Sequence, residues 1–229
     1  MAVITISRKY ASGGRKLGKL LSKNLNYAYV DKSHFQLVAE RFHAKGKNWQ
    51  PAEEHSGHTV SDIFFKFFSG LHIERIAAYD KTLVKDQQYQ ESLRDLLLAV
   101  AEKDNVVIVG RAAHFFLQDV PDCLHVRLAA SFEWRRNYAH HTLGILPSRV
   151  ARILEAKDRN HEWFLRTICG KKFGEPQLFH LTLSMDLIDL EKAAAFLAIS
   201  IQYLLDSNTS GGMQPCQVTK AVKAAEDLK

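Results

Sequence analysis

The stretch "VITISRKYASGGRKLGKLLSKNL", residues 3–25, decides the fold of this chain. It opens with alternating β-branched residues through Ser7, and this alternation predicts a buried strand. A loop with two glycines follows, and leucines then recur at three- and four-residue spacing, which is typical of a helix packed on a sheet. A strand, a glycine loop and a helix in this order form the layout that binds phosphate groups at a helix N-terminus.

The loop does not carry the standard phosphate-loop pattern G-x-x-x-x-G-K-[ST], in which the lysine reaches the terminal phosphates and the hydroxyl holds Mg²⁺. One literal near-match runs from Gly13 to Gly18 and Lys19. This register starts the loop well beyond the strand end and dissolves the helical turn that carries Leu17. We therefore reject it.

The second register starts at the strand end and places Ser12, Gly13, Gly14 and Arg15 at the turn into the helix. Glycine suits this position because the backbone approaches the phosphate closely and adopts positive φ. In this register Gly14 occupies the lysine position, so Arg15 or Lys16 must supply the positive charge. As an isolated motif, a plain glycine turn without phosphate chemistry is an equal alternative.

Strands and helices alternate along most of the chain, which predicts a parallel sheet with right-handed crossovers. The run "NVVIVG" is continuously apolar, as in a central strand covered on both faces. We therefore expect an α/β fold, a three-layer parallel β-sheet with helices on both faces. Strands are predicted at 27–31, 105–110, 123–130 and 178–186, helices at 34–42, over most of 60–103, after 131, at 148–167 and at 190–205, and a loop at 43–59.

Composition favours an anionic ligand and a cytoplasmic protein. The 229 residues carry a net charge of +6, and nucleotide, nucleic acid and an anionic membrane surface all fit that charge. The basic residues are dispersed rather than gathered into a tail, so a nucleic-acid partner is not expected. No apolar run reaches membrane-spanning length, and the N-terminus lacks the layout of a signal peptide. Three cysteines without metal spacing indicate a reducing compartment, and the histidines form no metal pattern.

Residues that follow the strands are candidates for ligand binding, because parallel sheets bind ligands at the carboxyl ends of their strands. Asp31 follows the second strand, and Gly110 and Arg111 follow the strand "NVVIV". An arginine there suits a phosphate because its planar fork binds two oxygens. The cationic residues of the helices over 135–172 predict either a solvated face or a lid that closes over phosphates. Within them, Asp158 is expected to hold a partner arginine or a nucleotide hydroxyl.

Four stretches in this order resemble the cytidylate kinase-like family, a branch of the phosphate-loop nucleoside monophosphate kinases. They are "ITISRKYASGGRKLGKLL", "YVDKSHFQLVAERF", "VVIVGRAAHFFLQDVPDCLHVRLAASFEWR" and "CGKKFGEPQLFHLTLSMDLIDLEKAA", which together span about residues 2–200. The resemblance implies a phosphate-loop kinase domain over 1–205, with an acceptor-side helical insert at 43–87 and a lid-like region at 139–175. Residues 206–229 are expected to form a flexible tail.

The resemblance also implies an activity, which is transfer of the ATP γ-phosphoryl group to CMP or dCMP with Mg²⁺. Small-molecule nucleotides would then be the partners. It assigns phosphate and nucleotide binding by position to Ser12, Gly13, Gly14, Arg15, Lys16, Asp31, Gly110, Arg111, Arg135, Asp158 and Arg166. Among the arginines, it gives catalytic roles to Arg15, Arg111 and Arg159.

The chain departs from the family pattern at three positions. Ala11 stands where the family usually has glycine, a change that strains the loop only if this residue has positive φ. Lys16 occupies the position of the Mg²⁺-binding hydroxyl, so Ser7, Ser12 or water would have to bind the metal. His180 replaces an aspartate, and weaker local hydrogen bonding is expected there.

These departures keep other functions open. A nucleotide-binding regulatory module without turnover is motivated by Ala11 and Lys16. A kinase of a different small acceptor is motivated by residues 43–87, where the resemblance is weakest and acceptor specificity would lie. Nucleic-acid binding is a more distant alternative because the sequence has no recognised reader motif.

Overall fold

The computed structural model describes residues 2–34, 84–170 and 175–209, with only the backbone over 205–209. The strands are β1 (Val3–Arg8), β2 (Ala28–Val30), β3 (Val106–Val109), β4 (Cys123–Ala129) and β5 (Leu181–Ser184). The helices are α1 (Gly14–Leu25), α2 (Gln87–Ala101), α3 (Ala113–Phe116), α4 (Phe132–His141), α5 (Pro147–Cys169) and α6 (Leu190–Thr209).

All five strands are parallel and lie in the order β2-β3-β1-β4-β5. The register pairs Ile6 with Val109 and Arg8 with Leu128, so these strands end at the same edge of the sheet. The loop between β1 and α1 therefore lies beside the segments that follow β3 and β4. This topology confirms the predicted parallel sheet.

Two hydrophobic layers cover the sheet, one on each face. On one face, Ile4, Ile6 and Val126 pack against α1 and α6. On the other face, Val106 and Ile108 pack against α2, α3 and α5. The continuous apolar run of β3 supplies both layers, since Val107 and Val109 belong to the first layer. The three-layer α/β/α architecture is as predicted.

Most described boundaries lie within two residues of the predicted ones, and two differ by more. The last strand begins at Leu181 instead of residue 178, because Pro176–Leu178 forms a 3-10 helix and a proline cannot donate a backbone hydrogen bond. The last helix continues to Thr209, past the predicted end at 205, and residues 210–229 of the predicted tail lie outside the described part of the chain. The short helix α3 was not predicted.

Several predictions concern residues that the structure does not describe. The helix predicted at 34–42, the loop at 43–59 and all but the last residues of the insert at 43–87 fall there. Cys123 and Cys169 are buried and free, and Cys216 lies outside the described residues. Within the described ranges, no helix combines the length and apolar character that a membrane crossing requires.

Candidate phosphate-binding site

The loop between β1 and α1 adopts the register that starts at the strand end. β1 ends at Arg8, Gly13 caps α1 with a φ of 77°, and α1 begins at Gly14. Glycine is required at residue 13 for two reasons. Its φ lies in the left-handed region, and a Cβ there would lie 2.8 Å from Cδ2 of Leu190. Gly18 lies inside α1, so the rejected register is excluded.

The N-terminus of α1 is open to an anion. Ser12 is buried, and its hydroxyl donates to the carbonyl oxygen of Lys9 at 2.8 Å, which closes the loop on itself. The first turn of α1 contains no acidic residue. The first turn of α1 therefore supplies no negative charge to neutralise the positive end of the helix dipole, and the N–H groups at this end can donate to an anion.

A cavity of about 450 Å³ lies in front of this loop. Five cationic side chains line it: Arg8, Lys9, Arg15, Lys32 and Lys157. No aspartate or glutamate occurs among the described residues of its lining, which also include Ser12, Gly13 and Gly14. Burial lowers the pKa of Lys32, and the charges of Arg111, Lys157 and Arg15 lower it further. Arg15 and Lys9 each have a carboxylate nearby that does not line the cavity, at 2.8 Å and 4.0 Å. The excess of positive charge in the lining still favours a ligand with several negative charges.

Asp31 holds Arg15 at the edge of this cavity. The Arg15 Nε lies 2.8 Å from Oδ2 of Asp31, whose side chain is only 2% exposed. Burial alone would raise the pKa of Asp31, but hydrogen bonds from His34, Ser33 and Tyr29 outweigh it and hold that pKa well below its usual range. Asp31 is therefore ionised at neutral pH, where it orients Arg15 and is a weak proton acceptor.

Lys16 takes a different direction from Arg15. Its Nζ lies 3.9 Å from Oε1 of Glu191 on α6, and its side chain does not line the cavity. The side chain of Lys16 is about half exposed. Only the backbone of Lys16 is therefore near the loop, and its predicted part in phosphate binding stays a prediction.

The turn after β3 has an unusual backbone. Gly110, Arg111 and Ala112 have φ values of 87°, 57° and 54°, all in the left-handed region. Arg111 is buried and donates from Nη1 to the hydroxyl of Tyr89 at 3.3 Å. Gly110 and Arg111 line neither described cavity, and neither does Asp31. Their predicted part in phosphate and nucleotide binding stays a prediction.

Arg135 and Asp158 form a buried bidentate pair between α4 and α5. The two distances are 2.9 Å (Nη1 to Oδ1) and 2.8 Å (Nη2 to Oδ2), and Arg135 is 4% exposed. Nη1 of Arg135 also donates to the carbonyl oxygen of Tyr10 in the loop. The prediction that Asp158 holds a partner arginine is confirmed. The pair joins both helices to the phosphate loop.

Arg159 and Arg166 do not line the cavity in front of the phosphate loop. Arg159 is 71% exposed and pairs with Glu155 at 3.9 Å, and Arg166 is 61% exposed and pairs with Glu162 at 2.8 Å. Both partners lie one turn away on α5 itself. The arrangement is that of a solvated helix face, and the predicted catalytic role of Arg159 finds no geometric support here.

Four cations of the cavity were not assigned a binding role from the sequence, namely Arg8, Lys9, Lys32 and Lys157. Each lies in a segment that the sequence marked as a candidate, because Arg8 ends the first strand, Lys9 and Lys32 follow the first and second strands, and Lys157 belongs to the cationic helices over 135–172. The motif pattern drew attention to the loop glycines and to the residues after them. The position at the carboxyl end of a parallel strand was the better guide.

A second cavity of about 410 Å³ lies on the other side of Arg8, Lys9 and His161, which line both cavities. Its far wall is aromatic. The ring of His114 stacks on that of Phe179 with centroids 4.6 Å apart, and the guanidinium of Arg127 lies 5.7 Å from the Phe179 ring centroid. Burial lowers the pKa of His161 to about 4, so this imidazole is neutral at pH 7.

His180 keeps a hydrogen bond at the position where the family has aspartate. Its Nδ1 accepts from the backbone N–H of His125 at 3.0 Å, and the two imidazoles stack with centroids 4.9 Å apart. The expected weakening of local hydrogen bonding is therefore not observed. The acceptor is an imidazole nitrogen instead of a carboxylate oxygen, and the backbone near the start of β4 stays hydrogen-bonded.

Ala11 has a φ of 61°, so the condition under which a methyl group strains the loop is met. We expect Ala11→Gly to change the free energy of unfolding by less than about 1 kcal/mol. Relief of left-handed strain is worth roughly 1–2 kcal/mol. The greater freedom of unfolded glycine and loss of the buried methyl group, which packs beside Val150 and Leu154, offset it. Urea unfolding measures the difference, and stabilisation above about 2 kcal/mol would contradict this balance.

The donors for a magnesium ion are few. Ser12 lines the first cavity and Ser7 lines the second. The hydroxyl of Ser12 donates to Lys9 and keeps lone pairs for a metal. No group of three or more histidine, cysteine or acidic side chains suited to a metal occurs in the ranges described. Mg²⁺ keeps several waters and binds through substrate phosphates, so this donor set fits a metal that arrives with the nucleotide.

One solved structure of low sequence identity shares the fold, and two further structures match it more weakly. A protein from Eubacterium ventriosum superposes with a TM-score of 0.60 at 16% identity, covering 88% of this chain and 98% of that chain. A shikimate kinase from Bacteroides thetaiotaomicron gives a TM-score of 0.48 at 16% identity, with coverage of 88% and 98%. A gluconokinase from Sinorhizobium meliloti gives 0.39 at 15% identity, with coverage of 88% and 96%.

Comparison with curated protein sequences finds no match. A sequence profile of the cytidylate kinase-like family matches residues 3–187, which include every strand of the sheet, the phosphate loop, and both helices joined by Arg135 and Asp158. This span is most of the 229 residues, and it agrees with the order of motifs and with the observed topology. The chain belongs to the cytidylate kinase-like family.

Proposed function

We propose that this protein transfers the γ-phosphoryl group of ATP to a nucleoside monophosphate, CMP or dCMP. The observation that carries the proposal is the cavity at the N-terminus of α1, with five cations and no acidic side chain in its described lining. Two phosphate-bearing substrates must approach each other in the reaction, and their mutual repulsion has to be neutralised. A lining of this charge suits that task.

The chemistry requires positioning more than proton transfer. An oxygen of the acceptor phosphate attacks the γ-phosphorus, the bond from that phosphorus to the β–γ bridging oxygen breaks, and ADP leaves. A monophosphate dianion attacks without losing a proton, whereas an alcohol acceptor must give one up. Asp31 is the buried carboxylate nearest Arg15, and its lowered pKa makes it a weak base. The two carboxylates that line the second cavity, Asp158 and Glu162, each accept hydrogen bonds from an arginine. This set of carboxylates favours a phosphate acceptor over a hydroxyl acceptor.

Magnesium would be bound by the phosphate oxygens of the nucleotide, by water and by Ser12. When bound, it neutralises charge on the β- and γ-phosphates. Within the chain, the backbone at residues 12–15 binds the donor phosphates, and Lys9, Lys32 and Lys157 surround them. The ion pair of Arg135 and Asp158 fixes the positions of α4 and α5 around the cavity.

A regulatory nucleotide-binding protein is the second candidate. It is favoured by one observation, which is that the side chain at the position of the metal-binding hydroxyl, Lys16, pairs with Glu191 away from the cavity. Such a protein would bind ATP in the same cavity without transferring phosphate.

The test is a coupled assay of ADP release with ATP, Mg²⁺ and a panel of acceptors. We expect turnover with CMP or dCMP, and little with sugar acids or other hydroxylated acids. Calorimetric titration with ATP is run in parallel. ATP binding without turnover on any acceptor would overturn the kinase proposal in favour of the regulatory one. Turnover on a hydroxylated acid but not on CMP would overturn the choice of acceptor.

A further inference from the structure

The space in front of Gly14 is filled by the side chain of Arg8. A Cβ at Gly14 would lie 2.8 Å from Cγ of Arg8 and 3.3 Å from both its Cβ and Cδ. These distances leave no room for a side chain at residue 14. Gly14 is the residue that stands where the standard pattern has its lysine.

The far end of Arg8 reaches the turn after β3. A Cβ at Gly110 would lie 2.3 Å from Nη1 of Arg8, 2.9 Å from Cζ and 3.0 Å from Nη2. The side chain therefore runs from the start of α1 to the end of β3, across the mouth of the sheet. It lines both cavities, so its guanidinium lies where the contents of the two cavities would meet.

The other two cations near the start of α1 are each committed to a carboxylate. Arg15 pairs with Asp31 at 2.8 Å, and Lys16 pairs with Glu191 at 3.9 Å. Arg15 is 61% exposed and Lys16 is 53% exposed at the side chain, whereas Arg8 is partly buried. Burial lowers the pKa of Arg8, while the nearby Tyr29 and Asp31 raise it. A guanidinium partly withdrawn from water binds a phosphate more strongly than an exposed one.

We propose that Arg8 is the catalytic cation that binds the β- and γ-phosphates of ATP in place of a loop lysine. This inference rests on the proposed function and replaces Arg15 as the residue with that role. In the standard loop, the lysine side chain extends from the first turn of the helix. In this chain, the Arg8 side chain extends from the last residue of β1 and passes over Gly14, which has no side chain to block it. The planar fork of arginine binds two phosphate oxygens at once.

The test is to move the cation back to the helix. We expect Arg8→Ala to lower kcat/KM by about 10³-fold, in the range seen when an arginine is removed from a phosphoryl-transfer site, and to weaken ATP binding. Gly14→Lys alone is also expected to lose activity, because its Cβ would meet Cγ of Arg8 at 2.8 Å. The double variant Arg8→Ala/Gly14→Lys has both the space and the charge, and should regain at least about 10-fold over Arg8→Ala.

Two controls isolate the charge. Arg8→Ala/Gly14→Met fills the same space without a charge and should regain nothing. Arg94→Ala removes an exposed arginine on α2 and should leave activity unchanged. If Arg8→Ala does not fold, Arg8→Lys is measured instead. It keeps the aliphatic chain but loses the planar guanidinium, and we expect kcat/KM to decrease by about 10-fold.

Three results would overturn the inference. These are an Arg8→Ala variant with near-normal kcat/KM and ATP affinity, a Gly14→Lys double variant no better than Arg8→Ala, or an equal rescue by Gly14→Met. If the wild-type protein turns over no acceptor, the proposed function fails, and the role of Arg8 is then decided by calorimetric ATP affinity across the same variants.

Discussion

Replacing Asp158 with alanine should lower the free energy of unfolding by about 3–5 kcal/mol, because the change leaves a buried guanidinium without its counter-charge. Arg135 is 4% exposed and makes two hydrogen bonds of 2.9 and 2.8 Å to this carboxylate. Its third contact, to the carbonyl oxygen of Tyr10, is longer at 3.3 Å and carries no charge to compensate the loss. Chemical denaturation at pH 7 measures the difference.

The double variant Arg135→Met/Asp158→Leu separates the cost of a buried lone charge from the value of the pair. Removing both charges should recover most of the stability, since an apolar pair of similar volume replaces a desolvated ion pair. Glu133→Ala is the matched control, because it breaks an exposed pair with Arg136 on the same helix and should cost less than about 1 kcal/mol. A loss below about 1 kcal/mol for Asp158→Ala would show that Arg135 finds water or another partner.

The same pair should matter for activity. It joins α4 and α5 to the loop at Tyr10, and Lys157, the neighbour of Asp158, lines the phosphate cavity. Loss of the carboxylate frees Arg135 to bind the phosphates unproductively. We therefore expect Asp158→Ala to lower turnover even at temperatures where the variant is folded.

The fold followed from patterns that depend on local physics. The residue pattern of a strand reflects how many of its faces are buried. This is why the alternating β-branched residues of β1 and the continuous apolar run of β3 located both strands to within about two residues. The boundary at Leu181 was missed because the preceding 3-10 turn keeps the hydrophobic residue Leu178 buried without placing it in the sheet. Burial alone does not distinguish the two.

The site followed from the sequence only in part, because its decisive feature is a side-chain contact between segments that are separate along the chain, the end of β1, the start of α1 and the end of β3. The glycines at 13 and 14 predicted a phosphate loop in the correct register. Nothing in the spacing indicates that Arg8 crosses Gly14 and reaches Gly110, since this depends on the rotamers of a long side chain. Likewise, the pairing of Arg15 with Asp31 requires that β2 ends beside α1, which is a property of the strand order.

Acidification from pH 6 to pH 5 should lower the free energy of unfolding by about 3–4 kcal/mol through three buried histidines. Burial lowers the pKa of His114 to about 3 and those of His125 and His161 to about 4, with smaller effects from neighbouring charges. All three are therefore neutral in the folded state, whereas in the unfolded chain each takes up a proton below about pH 6.5. Between its folded and its unfolded pKa, each such histidine lowers the free energy of unfolding by up to about 1.4 kcal/mol for every unit by which the pH falls. Its full contribution to stability is present only above the unfolded pKa.

Carboxylates do not contribute to this pH window. The pKa of Asp31 is lowered in the folded protein by its hydrogen bonds from His34 and Ser33, which outweigh burial, so its contribution is lost only below the ordinary range of aspartate. His125→Asn isolates one histidine, because an amide oxygen at that position can accept from the hydroxyl of Thr5, which lies 2.8 Å from Nδ1 of His125. Urea unfolding at pH 7, 6 and 5 should show about two thirds of the wild-type slope in this variant, because His114 and His161 still take up protons on unfolding. Equal stability of the wild-type protein at pH 7 and pH 5 would mean that the imidazoles are protonated in place, and that the layer between the sheet and α5 admits the charge.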